Sequence, residues 1–82
     1  MTNVKTLFFA TLRDRAALRS IELQIPTQTN VAGFKSILTE KFPVLRGLTS
    51  HMLISVNQEF AFDEAIIPDD AEIALFPPVS GG

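Results

Sequence analysis

Gly81 and Gly82, the last two residues of the 82-residue sequence, have no side chain that can act as acid, base or ligand. They end, however, in a group well suited to chemistry, a terminal carboxylate with nothing crowding its carbonyl carbon. Such a carboxylate can attack the α-phosphorus of ATP and give an acyl-adenylate, a reactive mixed anhydride. Glycine also keeps the backbone thin and free to take whatever angles a narrow channel demands. Elsewhere, reactive side chains do not fall into working arrangements. His51 is the only histidine, with no Asp or Glu close to it in sequence and no cysteine anywhere. A lone His in that setting reads as a surface or hydrogen-bonded residue. Ser20, Ser36, Ser50, Ser55 and Ser80 lie outside any G-x-S-x-G context. Gly33, Gly47, Gly81 and Gly82 make no phosphate loop. Asp69-Asp70 reads as a solvated turn, not a cation site. The chain does not read as a self-contained enzyme, and its chemistry concentrates at Gly82.

The stretch before that carboxylate, Phe76-Pro77-Pro78-Val79-Ser80-Gly81-Gly82, is built to present it. Pro77 and Pro78 cannot donate ladder hydrogen bonds and hold φ fixed, so a strand ending at Phe76 stops there. They also launch the chain as a stiff, extended segment. Val79 to Gly82 then reach roughly 13 Å, at about 3.3 Å per residue. This divides the chain into a domain over residues 1–78 and a flexible Gly-Gly tail over 79–82. Ordering serine and glycine costs entropy without burying surface, so the free tail is expected to be disordered.

The elements that must hold the tail follow from periodicity. "VKTLFFA" (4–10) is β-rich, with Val4, Thr6, Phe8 and Ala10 on one face and Lys5, Leu7 and Phe9 on the other. "LRDRAAL" (12–18) is compatible with a short helical turn. "SIELQIP" (20–26) alternates, with Ile21, Leu23 and Ile25 inward, and Pro26 closes it. The first two strands make a hairpin with an elaborated turn. Thr29 or Asn30 can cap the helix that follows. Its apolar stripe is Val31, Phe34, Ile37, Leu38 and Phe42, and Pro43 ends it. Gly33 inside the helix marks a close approach, expected to be to the sheet. "MLISV" (52–56) is a strand, "NQE" (57–59) a turn, "FAF" (60–62) a short return and "EIALF" (72–76) the last strand. Proline and aspartate set the turn at Pro68-Asp69-Asp70.

One amphipathic helix covers one face of one small sheet, an α+β arrangement in two layers. The strand–helix–strand crossover should be right-handed. With the two most apolar strands at the ends of the chain, first and last pair in parallel at the sheet centre. That is the β-grasp, a mixed sheet of four to five strands with one main helix packed on one face. The runner-up is an antiparallel sandwich with another strand order. Phe9 and Phe76 then lie on neighbouring central strands and point away from the helix, and Phe60 can join them. Seven phenylalanines exceed what one helix can shelter. The three are expected to form an apolar docking face, unless a loop or the 43–50 connector covers them.

Composition restricts the partners. The hydrophobic fraction is 46%, enough for a core in a single domain, and the absence of cysteine removes disulfides and thiol chemistry. All seven basic residues lie between Lys5 and Arg46. Glu59, Asp63, Glu64, Asp69, Asp70 and Glu72 then stand without a Lys or Arg from Gly47 onward. This balance disfavours nucleic acid and favours a partner with a basic surface. The first twenty residues hold an apolar run of only a few residues before Arg13. They read as neither signal peptide nor membrane span, so no membrane is expected and a cytoplasmic protein is the simplest reading.

"LFFATLRD" (7–14), "VNQEF" (56–60) and above all "DDAEIALFPPVSGG" (69–82) resemble the small subunit of molybdopterin synthase, the MoaD type of ubiquitin-like sulfur carriers. The resemblance spans nearly the whole chain, and "FPPVSGG" is its most specific element. It implies the ubiquitin-like β-grasp fold. It implies that Gly82 is adenylated by an E1-like activating enzyme using ATP, then converted to a thiocarboxylate with sulfur from a donor protein. The tail, Pro77, Pro78, Val79, Ser80, Gly81 and Gly82, would insert into the large catalytic subunit. There the sulfur would build the dithiolene of molybdopterin from a cyclic pterin precursor. The chain would be a non-catalytic sulfur-donor subunit of a transferase, binding no metal or cofactor itself. Three other readings remain: a carrier for thiamine, cysteine or another thiolated product, a ubiquitin-like modifier joined to target lysines, or an interaction domain with an incidental tail.

Overall fold

The computed structural model describes residues 1–49 and 51–78. Five strands form one sheet: β1 (Thr2–Phe8), β2 (Ser20–Ile25), β3 (Leu53–Val56), β4 (Glu59–Phe60) and β5 (Glu72–Phe76). Two helices, α1 (Ala10–Ala16) and α2 (Val31–Lys41), and a 3₁₀ turn over Pro43–Leu45 complete it. The strand order is β2-β1-β5-β3-β4. β1 runs parallel to β5, and every other pairing is antiparallel. The first and last strands therefore lie side by side at the centre, as the β-grasp reading requires. No helix among the described residues is long and apolar enough to cross a membrane.

Strand alternation assigns the faces. Val4, Thr6 and Phe8 of β1, Leu23 and Ile25 of β2, and Ile73 and Leu75 of β5 are buried under α2. That helix contributes Val31, Phe34 and Leu38 to the core, with Ile37 and Phe42 packed at its margin. Asn30 caps it, its Oδ1 accepting from Gly33 N at 2.8 Å. The close approach at Gly33 is to this cap and not to the sheet. A Cβ there would sit 3.0 Å from Thr29 Cγ2 and 3.3 Å from Asn30 Oδ1. Leu45 of the 3₁₀ turn and Leu12 of α1 close the end of the core. Phe8 meets Phe42 edge-on, with centroids 5.5 Å apart.

Two local expectations shift. Ala10 does not continue the inner face of β1 but begins α1, with φ of 53°. The chain turns as soon as the ladder with β2 ends, because Leu12 then reaches the core. The return strand is Glu59–Phe60, shorter than 60–62, and the turn before it is Asn57-Gln58 with both residues at positive φ. Segment 61–71, in sequence the end of the return strand and a loop with turn chemistry, is tied to the start of α2. Val31 N donates to Ala65 O and Ala32 N to Asp63 O, each at 3.0 Å, and Ile67 N donates to Thr29 O at 2.9 Å. The first two satisfy first-turn amides that have no partner within a helix. Lys35 pairs with Asp63 at 2.8 Å across the same junction.

Candidate functional site

The face of the sheet opposite α2 can be built row by row from strand register. Leu7 stands beside Ala74, Ala74 beside Ser55, and Ser55 beside Phe60. One step along, Phe76 stands beside Leu53. One step the other way, Lys5 lies between Glu22 and Glu72. The face is thus apolar in its middle and at the end where β5 finishes, and charged at its far end.

Phe9 lies one residue beyond β1, as the N-cap of α1, and its extended backbone (φ −120°, ψ 150°) keeps it on this face. Its N–H donates to Leu75 O at 3.2 Å, so the β1–β5 ladder continues through it. Its ring stacks on Phe76, with centroids 4.8 Å apart and planes 10° from parallel. Phe60 meets Phe76 edge-on at 6.3 Å. The three phenylalanines expected to share a face do share it. Among the described residues no segment covers them fully: Phe60 is 73% exposed and Phe9 39%. The 3₁₀ turn of the 43–50 connector packs instead on α1 and α2.

Small residues set the relief of this face. Ala74 and Ser55 are buried and form a floor, while Leu7, Phe9, Phe60 and Phe76 stand around it. The resulting hollow has a volume of about 340 Å³ and is edged by Gln58 and Glu72. It suits one large apolar side chain from a partner. Leu53, 40% exposed beside Phe76, enlarges the face and was not legible from the sequence. "LISV" has no polar–apolar alternation, so only its register against β5 assigns a side. Leu7 was placed outward by parity and forms part of the wall.

The hinge of the hairpin is tied to the same central strand. Asn57 N donates to Glu72 O at 2.8 Å, and Asn57 Oδ1 accepts from Glu72 N at 2.9 Å. This pair fixes where β5 begins and hence where Phe76 ends. Pro77 is half-buried and Pro78 exposed, immediately after Phe76. Val79, Ser80, Gly81 and Gly82 lie outside the described residues. His51 is exposed in the turn before β3, and Asp69 and Asp70 are exposed in the turn before β5. Among the described residues no three His, Asp or Glu side chains gather.

The ThiS family model matches residues 6–82. Over 84 aligned residues, covering both chains completely, the sequence is 33% identical to the molybdopterin synthase sulfur carrier subunit of Caenorhabditis briggsae. Its fold is similar to the crystal structure of SAMP1 from Haloferax volcanii, at TM-score 0.84 and 26% identity, covering 98% of this chain and 99% of that one. It is also similar to one chain in the protein–protein complex of subunits 1 and 2 of molybdopterin-converting factor from Helicobacter pylori. That match has a TM-score of 0.69 at 22% identity, over 99% of this chain and 100% of the other. The mixed five-stranded sheet is therefore the ubiquitin-like β-grasp.

Proposed function

The chain belongs to the ThiS family, and from that premise we propose that it is the sulfur carrier subunit of a molybdopterin synthase. The reading rests on one observation above the others. The full-length match to a subunit of that name coincides with an uncovered apolar face that ends at the root of the Gly-Gly segment. Phe76 is both the last residue of β5 and the centre of the face, so a partner seated on the face receives whatever follows Pro78.

The chemistry proceeds in three balanced steps. The Gly82 carboxylate attacks the α-phosphorus of ATP in an E1-like enzyme, forming the acyl-adenylate and releasing pyrophosphate. A donor protein supplying sulfur at the oxidation level of sulfide displaces AMP and leaves a thiocarboxylate. In the large subunit the thiocarboxylate sulfur bonds to a carbon of a cyclic pterin precursor and displaces an oxygen substituent. Water then cleaves the bond between that sulfur and the Gly82 carbonyl, leaving sulfur on the pterin and restoring the carboxylate for another cycle. This chain supplies reach, a thin backbone and a docking face. The partners supply acid, base and phosphate chemistry, and ATP is bound by the activating enzyme alone.

Intact mass spectrometry after incubation with ATP, an adenylating enzyme and a sulfur donor tests the carrier role. The expected outcome is replacement of one oxygen by sulfur on Gly82, absent when Gly82 is deleted. A chain that gains no sulfur under conditions that load a known carrier overturns it. Docking is tested separately with Phe9→Asp. Phe9 occupies the N-cap of α1 without a side-chain cap bond, and aspartate is a favoured N-cap, so the fold is expected to persist. Loss of large-subunit binding by a chain that still melts cooperatively is the expected result, the lost stack on Phe76 lowering the melting temperature; unchanged binding would remove the face from the mechanism. A second reading, a protein modifier, is favoured by the likeness to the small archaeal modifier protein. It predicts covalent adducts on other proteins in place of the mass gain.

A further inference from the structure

A second stretch of apolar surface lies around the sheet edge from the face just described. Phe62 is 84% exposed and Ile66 57%. With Ala61 and Pro68 they line a groove of about 680 Å³ between β4 and the segment that leads to β5. Two acids, Glu59 and Glu64, stand in its wall. Asp63 is engaged by Lys35 at 2.8 Å, whereas Glu59 and Glu64 enter no ion pair among the described residues. From Gly47 to Gly82 the sequence supplies no Lys or Arg to neutralise them.

This segment is not loose. Ala61 N donates to Ile54 O at 2.9 Å, and Ala65 N to Phe62 O at 3.0 Å. Ala65 O and Thr29 O bind it to the start of α2 through Val31 N and Ile67 N. The backbone is held from the sheet on one side and from the helix on the other, and Ile67 is buried, yet Phe62 and Ile66 face solvent. A groove already in its binding shape loses little entropy when filled. Its occupant must match both parts of the lining. A nucleic acid or an anionic small molecule would meet unneutralised carboxylates, and a purely apolar ligand would strip water from them without replacing it.

We infer that this groove is a second docking surface, for a short polypeptide segment of a partner that carries one or two large apolar side chains flanked by Lys or Arg. Apolar side chains fill the space between Phe62 and Ile66, and the cations stand opposite Glu59 and Glu64. Phe60 lines both this groove and the sheet face. A partner seated on the sheet face can therefore extend a basic arm around β4 without leaving apolar surface between the two contacts. The groove stands without the sulfur-carrier reading, since its lining includes neither Phe9 nor Phe76.

The test is selection of a phage-displayed library of short random peptides against the full 82-residue chain. Affinities of the enriched peptides are then measured on variants. Expected winners combine Leu, Phe or Trp with Lys or Arg. They weaken by about tenfold or more on Phe62→Asp. They weaken similarly on the double change Glu59→Lys and Glu64→Lys, and they weaken in high salt. Phe62 and both acids are exposed, so melting temperatures should stay near that of the parent. Recovery of no binder, of acidic or uncharged peptides, or of peptides indifferent to both changes overturns the inference. Peptides that respond only to Phe9→Asp also overturn it, but leave the sheet-face reading standing.

Discussion

Replacing Phe60 with alanine separates docking from folding more cleanly than any other change on the sheet face. Phe60 sits in a two-residue strand at the sheet edge and is 73% exposed, so the folded chain gains little from its ring. Its one aromatic contact, edge-on to Phe76 at 6.3 Å, is worth about 0.5–1 kcal/mol. The melting temperature should fall by only a few degrees, at about 4–8 °C per kcal/mol for a domain this small. In a complex the balance reverses. A phenylalanine offers roughly 200 Å², so about 150 Å² is left for a partner to cover, an upper limit near 3.7 kcal/mol at about 25 cal/mol per Å². Association never recovers the full area term, so a loss of about 2–3.5 kcal/mol is expected, roughly 30- to 300-fold in Kd. Isothermal titration calorimetry of parent and Phe60→Ala against a molybdopterin synthase large subunit measures it, with a thermal melt as control. Binding within about twofold of the parent, well under 1 kcal/mol, would refute the argument that this face docks the partner.

Four further outcomes follow from the fold. Thr6 is fully buried between Ile21 and Ile73 in register, and its Oγ1 has no hydrogen-bond partner among the described residues. Thr6→Val should stabilise the chain by about 1–2 kcal/mol, because an unpaired buried hydroxyl is penalised by about 1–3 kcal/mol; a lower denaturant midpoint would contradict this. Gln58 holds φ of 71° in the β3–β4 turn, so Gln58→Gly should stabilise by about 1 kcal/mol by relieving left-handed strain. Asn57→Ala should instead destabilise by about 1–2 kcal/mol, losing both tolerance of positive φ and the bond from Glu72 N, and urea titrations of the two variants should move in opposite directions. Gly33→Ala should fail to deliver the usual helix gain of about 1 kcal/mol, since its Cβ meets Thr29 Cγ2 at 3.0 Å; a rise of that size in a thermal melt would show that the cap yields easily.

Most of this architecture was legible because it rests on short-range signals. Alternation in β1, β2 and β5 assigned the buried sides, and the i, i+3, i+4 spacing of Val31, Phe34 and Leu38 located α2. Pro43 and Pro77 marked ends that the backbone must respect. The terminal pair of glycines is plain in the sequence itself. What eluded sequence reading depends on partners distant along the chain. Leu53 could not be assigned to a face because "LISV" is apolar on both sides, and only its pairing with Phe76 places it. The close approach at Gly33 was anticipated, but its partner was Asn30 and Thr29, since the cap folds back over the first turn.

Sequence alone therefore determined the inventory: one main amphipathic helix, strands with assigned faces, no thiol among the 82 residues, and a thin segment ending in Gly82. Each of these follows from covalent chemistry or from neighbours within a few residues. Tertiary structure decided which residues share a surface. Stacking of Phe9 on Phe76 requires β1 and β5 to lie parallel and adjacent, although the two residues are far apart in the chain. The ordered groove around Phe62 and Ile66 requires α2 to supply its first-turn amides to segment 61–67. Periodicity reports which side of an element is apolar. Only packing reports which apolar sides find each other, and which are left facing water for a partner.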